Sequence, residues 1–478
     1  MWRPGPPLKK AFCPMSSPTR AVSSDRVAAL LARERALFVE RTPKSQALAD
    51  ETARHWLNGV PMHWMVDWGT PYPLFIDEAC GVVLTDADGH AYVDFCLGDT
   101  GAMFGHSPPA VADAIRRQAG RGLTTMLPSP DAAVVGQLLA QRFQLPFWQV
   151  TATASDANRS VIRWARAATG RRKLLVFNGC YHGAVDDTFV ALQNGRACNR
   201  PGLVGEVRDV TADTVVIEFN DVAALEAALG KEDIALVLAE PVMTNCGMVL
   251  PQDGYHDALR RLTRQHGTLL CIDETHTISS GAGGYSATHG LKPDFFVMGK
   301  PISGGVPAAI YGWSSEVDGL IRSYMAGREG GYSGIGTTLS GSALQLACMR
   351  AVLETILTDD VYRQALPLAE FLERGIDAII SHHDLPWHVV RVGLRAEIVS
   401  APDHPRNGTE ALFFAHSEAE HALHLYCLNR GVVITPFHNM MLVCPQTNEV
   451  DVARLLDALD GAMAEISGTP PMRASATH

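Results

Sequence analysis

Apolar residues along this chain keep two different rhythms, and the change of rhythm divides it into regions. From 27 to about 57, Leu, Ala and Val recur at helical spacing among Arg, Glu and Lys, which predicts one or two amphipathic helices. Positions 74–76 and 81–95 alternate instead, interrupted by Asp86-Ala-Asp-Gly89, the pattern of a β-hairpin. Residues 98–111 lead through Gly and Pro into a helix. The stretch 149–166 opens as a strand and turns helical. Short apolar runs bounded by Gly, Pro or charge follow at Lys173–Phe177, 215–219, Ile234–Ala239, 269–272 and Phe295–Met298. Such runs read as strands buried on both faces of a parallel sheet. Between them 221–229 and 256–266 are helical, whereas 184–213 shows no period and holds Gly and Pro. From 342 a helical pattern runs to about 366 as one long helix, and 387–399, 422–430 and 451–466 add strands and helices. The expected fold class is α/β.

Two of the strand ends carry chemistry. The run 269–272 ends in Asp273 and Glu274, and Phe295–Met298 ends in Gly299 and Lys300. In open α/β sheets the ligand crevice lies outside the carboxyl ends of the strands. One strand therefore delivers a carboxylate to the crevice, and another delivers an amine. A lysine at a buried strand end is costly unless paired or neutralised, and burial suits an amine to imine formation. Pyridoxal phosphate uses both groups: a lysine to hold its aldehyde, and an acid to partner its ring nitrogen. Taken singly, Asp273 would more often be a helix cap and Lys300 a solvated loop residue. The glycines of 279–284 do not make a dinucleotide loop, because they lie in a strand-to-strand connection and open no helix.

Composition narrows the partners. A chain of 478 residues implies two or three domains, and 47% hydrophobic with 19% charged is ordinary for a globular protein. A formal charge of -11 argues against nucleic acid and anionic membranes, and no apolar run reaches the length of a membrane span. Ten cysteines are scattered with no C-x-x-C pair and no zinc spacing, so reduced thiols, a cytoplasmic compartment and no metal are expected. The first 25 residues have no secretory apolar core and are expected to be a disordered leader, as is the tail 467–478.

The segment DETHT…GGYSATHGLKPDFFVMGKPISGGVPAAIYG resembles the cofactor-lysine signature of class III pyridoxal-phosphate-dependent aminotransferases, most of all the glutamate-1-semialdehyde aminomutase-like branch. The resemblance runs from about 59 to about 459. It implies pyridoxal 5'-phosphate as cofactor and fold type I, a large mostly parallel sheet domain (108–341) with a smaller α+β domain from both chain ends (26–107 and 342–466). It further implies a homodimer with shared sites acting on a small amine or amino acid and a 2-oxo acid.

Residue by residue, the resemblance makes Lys300 and Asp273 the catalytic pair. Thr153-Ala154-Ser155-Asp156 takes the place of the family's Ser-Gly-Thr-Glu, so Ala154 and Ser155 would bind the phosphate at a helix N-terminus; as plain residues they would be an N-cap. Tyr181 of Tyr-His-Gly would stack on the ring, with His182 nearby. Glu240-Pro241 followed by Asn245 and Gly247 would place Asn245 on the phenolic oxygen, with Glu240 in support. Thr275 would pack on the opposite ring face, and His276 would stand near the phenolic oxygen. Thr338 of GTTLSG would reach the neighbouring subunit's phosphate, and 184–213 would form a mobile loop over the site. Trp64, Met65, Arg395 and Met440 would face the substrate. The branch carries an arginine where Met65 stands and a glutamate where Met440 stands. The expected activity is therefore transamination of an amine or amino acid with an apolar side, with the glutamate-1-semialdehyde-type aminomutase as the alternative. A nicotinamide-dependent oxidoreductase would need G-x-G-x-x-G between strand and helix, and the sequence has none there.

Overall fold

The computed structural model describes residues 22–414 and 417–472. Most of the expected leader and the end of the expected tail lie outside the described residues; within them, helix Ser24–Arg41 starts before the leader's expected end.

A seven-stranded sheet forms the centre, in the order Phe147–Thr151, Ala309–Trp313, Phe295–Met298, Leu269–Asp273, Ile234–Ala239, Lys173–Phe177 and Thr214–Ile217. Only Ala309–Trp313 runs antiparallel to its neighbours; the other pairs are parallel. The three middle strands, Phe295–Met298, Leu269–Asp273 and Ile234–Ala239, are buried along their whole length. This is what near-continuous apolar runs demand when helices cover both faces. Fold type I, the α/β class expected, is the fold observed.

Two smaller sheets flank it. The N-terminal hairpin contributes Ile76–Cys80, Val83–Asp86 and Ala91–Asp94, and Val432–Val433 from the other chain end joins it in parallel. His388–Val392, Arg395–Val399 and Met441–Leu442 form the other. Helix Ser24–Arg41 is tied to helix Ser417–Asn429 by Asn429, whose amide donates to the fully buried Glu34 carboxylate at 2.8 Å.

Three expectations change. The pattern at 342–366 is two helices, Ala343–Thr355 and Asp359–His382. Thr358 is extended between them (φ -130°), and Asp359 and Asp360 favour a new helix start there. The region 184–213 holds the hairpin Val190–Gln193/Arg196–Asn199. Its turn is Asn194-Gly195, with φ of 52° and 72°, the dipeptide that two-residue hairpins select. The glycine run at 279–284 does open a short helix, Gly284–His289. The Glu274 carboxylate, not a phosphate, accepts from the first-turn amides of Tyr285 and Ser286, at 2.9 and 2.5 Å.

Candidate active site

Asp273 ends its strand 5% exposed, and four donors surround its carboxylate. Asn158 and the His182 ring reach Oδ2 at 2.9 and 3.0 Å. The Thr275 amide and hydroxyl reach Oδ1 at 3.2 and 2.6 Å. Burial raises the Asp273 pKa, but these partners outweigh it and hold the carboxyl below its ordinary range. Burial likewise opposes charge on His182, yet Cys180 and Asp273 carry its pKa up to about 10. The carboxylate is thus kept ionised at the strand end.

Lys300 follows the neighbouring strand with φ of 49°, and its side chain is 28% exposed. Gly299, just before it, packs where a Cβ would lie 2.9 Å from that of Ala154. That glycine lets the lysine loop lie against the first turn of helix Ala154–Thr169. Thr153 caps this helix through the Asp156 amide, and the Ser155 hydroxyl accepts from Ala184 N at 3.0 Å. A Cβ at Gly183 would collide with Ser155, which accounts for the glycine of Tyr-His-Gly.

The lysine's own partners were not legible in the sequence. Its Nζ donates to Asp99 Oδ2 at 2.6 Å and makes a short contact with His276 Nε2. Burial and the Lys300 charge both lower the His276 pKa. Burial pushes the Asp99 pKa up, but Lys300 and His276 hold it well below the usual carboxylate range. One Asp in a Gly-rich turn has the pattern of turn chemistry, so nothing local in the sequence marks Asp99.

Around this centre, Glu240 Oε1 accepts from Tyr181 N at 3.1 Å, and its Oε2 accepts from the Thr244 amide and hydroxyl at 3.0 and 2.8 Å. Asn245 donates to Glu240 at 3.4 Å. Tyr181 and Trp64 lie with ring centroids 5.7 Å apart, and Trp64 and Met65 are each 42% exposed. Arg395 is 3% exposed and already paired, with Glu397 at 2.8 Å and Asp99 at 3.6 Å. Met440 is 1% exposed and packs in the large apolar core, its thioether accepting from Thr435. Thr338 lies on an exposed segment. The structure therefore gathers Lys300, His276, Asp99 and Arg395 in one charged cluster. Asp273, His182 and Thr275 share a second network, and Glu240 links Tyr181 to Asn245. Met440 and Thr338 lie outside these networks. Among the described residues, no His/Cys/Asp/Glu group could hold a metal ion, and no helix is long and apolar enough to cross a membrane.

Comparison with known proteins gives the same outline. The family described as aminotransferase class-III matches residues 65–461. A glutamate-1-semialdehyde 2,1-aminomutase of Chloroflexus aggregans (strain MD-66 / DSM 9485) is 32% identical over 413 residues, 82% of this chain and 91% of its own. A solved glutamate-1-semialdehyde-aminomutase from Pseudomonas aeruginosa PAO1, in complex with PMP, is 49% identical with a TM-score of 0.91, covering 93% of this chain and 99% of its own. An omega-transaminase from Sphaerobacter thermophilus is 25% identical with a TM-score of 0.81, over 90% of this chain and 99% of its own.

Proposed function

This chain belongs to the class-III aminotransferases, enzymes that depend on pyridoxal 5'-phosphate, and from that premise we propose that it moves an amino group within a single small amino-carbonyl acid, as a glutamate-1-semialdehyde-type aminomutase. The observation that carries this reading is the 49% identity, over 93% of the chain, to a protein solved as such an enzyme. The residues present fit the cofactor. An ionised, buried carboxylate and a partly exposed amine stand at neighbouring strand ends. Two glycines also bring the adjacent loops onto the first turn of a 16-residue helix. Lys300 would hold the aldehyde, Asp273 the ring nitrogen, Ala154 and Ser155 the phosphate, Tyr181 and Thr275 the ring faces, and Asn245 and His276 the phenolic side. Bound there, the cofactor supplies an electron sink for a carbanion at the substrate carbon. Once the substrate's amine had displaced it from the aldehyde, Lys300 Nζ would take and return the proton at the substrate carbon as base and acid. Asp273, held by Asn158, His182 and Thr275, keeps its charge throughout.

The second reading is transamination from an apolar amine or amino acid to an added 2-oxo acid. Trp64 and Met65 favour it, since an indole and a thioether form the half-exposed rim beside Tyr181. A buried guanidinium already paired with Glu397 also weighs against a strong second carboxylate site. Incubation with glutamate-1-semialdehyde alone separates the two. Production of 5-aminolevulinate without an acceptor supports the aminomutase, and a strict need for an added 2-oxo acid overturns it. We further propose a homodimer with shared sites, supported by exposed Leu57, Met126, Leu127 and Leu339 at 58–83%. Nine unpaired cysteines among the described residues favour a reducing, cytoplasmic setting.

A further inference from the structure

Four consecutive residues, Leu97 to Thr100, have left-handed φ of 46°, 59°, 48° and 79°. Only the second is glycine, so this loop stores strain that its surroundings must hold. Asp94 holds one end: its Oδ1 accepts from Cys96 N and Leu97 N at 2.7 and 3.0 Å. Its Oδ2 meets the His106 ring at 2.7 Å across the other end. Leu97 and Met103, both 0% exposed, anchor the loop in the core. The one charged side chain this device projects toward the site is Asp99, which reaches Lys300 Nζ at 2.6 Å.

The other side of Lys300 is fixed by a chain of hydrogen bonds with a definite direction. The Thr244 hydroxyl has one proton, and it donates that proton to Glu240 Oε2 at 2.8 Å. Thr244 Oγ1 is therefore an acceptor toward His276 Nδ1, 2.6 Å away, so Nδ1 carries the imidazole proton. A buried histidine with a lowered pKa has only one such proton, which leaves Nε2 as a lone pair facing Lys300. Two acceptors, Asp99 Oδ2 and His276 Nε2, thus seat the ammonium and leave its third proton for the reaction.

We propose that Asp99 is a positioning residue for this reaction: with His276 it seats Lys300 Nζ for the proton transfer. The inference rests on Lys300 being the reactive amine. The charged and titratable groups that face Asp99 are Lys300 and His276 from the strand-end loops, and Arg395 and Glu397 from the strand Arg395–Val399. Tyr181 and His438 face the same charges from two further loops, and Cys96 from Asp99's own.

The test is Asp99→Asn beside Asp99→Glu in the holoenzyme. Asp99→Asn should move the pH midpoint of the bound cofactor's visible band down by about one to three units. The acid limb of kcat should move the same way, and Asp99→Glu should restore both toward wild type. A folded Asp99→Asn with an unmoved midpoint overturns the proposal. Should Asp99→Asn fail to fold, Thr244→Val decides: releasing the His276 tautomer should lower kcat with KM little changed, and an unaltered kcat overturns the seating. In cofactor-free protein, acylation of Lys300 followed by peptide mapping should differ in rate between Asp99→Asn and wild type at one fixed pH, and equal rates overturn the seating. That arm distinguishes failure of this proposal from failure of the cofactor assignment, because it needs no cofactor.

Discussion

Arg395 and Glu397 stand two residues apart on one strand, buried to 3% and 0%, and their pairing controls what the guanidinium can still do. Nε and Nη2 both point at Glu397 Oε1, at 3.0 and 2.8 Å. Glu397 Oε2 has no hydrogen-bond partner among the described residues. Burial drives the Glu397 pKa from its ordinary 4.5 up to about 7, against the pull of Arg395. For an acid with a raised folded pKa, the native chain binds a proton that the unfolded chain releases. Stability present below about pH 4.5 is therefore lost as pH rises to about 7. Over that window Glu397 alone should remove up to about 3 kcal/mol. Urea denaturation at several pH values should show the decline in the wild type and a flatter line in Glu397→Gln. An equal slope in both would mean that Glu397 stays ionised beside Arg395.

The next scale is how elements are brought against the site. The turn Val392-Gly393-Leu394 of the smaller sheet docks on the 3-10 turn Thr277–Ser280, which follows Asp273 and His276 in the chain. The Ser279 hydroxyl donates to Val392 O at 3.0 Å, and Leu394 N donates to Ser279 O at 3.0 Å. Gly393 has φ of 62°, and a Cβ there would drive into the Ser279 carbonyl. Gly393→Ala should cost about 3 kcal/mol, near the upper end for single substitutions, read from the denaturation midpoint. A change within about 0.5 kcal/mol would show that the two elements slide freely. Elements of this kind were unevenly legible in the sequence. Leu269–Asp273 and Phe295–Met298 were readable because a strand buried on both faces must be apolar throughout. The Asn194-Gly195 turn was equally readable, but two short flanking strands with exposed residues gave no alternation to support it. The break at Thr358 was hidden because apolar spacing continues across Ile356 and Leu357. Asp99 was hidden for another reason: its role depends on tertiary contacts with Lys300, His276 and Arg395, which no local pattern records.

At the scale of the molecule, surface apolarity remains to be placed. Met126 and Leu127 are 75% and 73% exposed, Leu339 is 58% and Tyr332 54%. The Leu344 amide donates to Leu123 O at 3.2 Å, which brings the two exposed segments side by side. Thr338 lies beside Leu339 on this surface, outside the hydrogen-bond networks of Lys300 and Asp273. A hydroxyl so placed contributes to catalysis only if a second copy of the chain covers the patch and receives it. Thr338→Ala should then weaken cofactor retention by the roughly 1.5–3 kcal/mol of a hydrogen bond to a charged group, measured by dialysis against cofactor-free buffer. Lys300→Ala should by itself abolish turnover. In a mixed dimer of the two variants, one site receives Lys300 from the first chain and Thr338 from the second, and carries neither lesion. The other site carries both. Activity per dimer should recover to about half the wild-type value, and cofactor retention at the intact site should be normal. If Thr338 served its own chain, each site would carry one lesion, and mixing would recover nothing beyond the residual activity of Thr338→Ala.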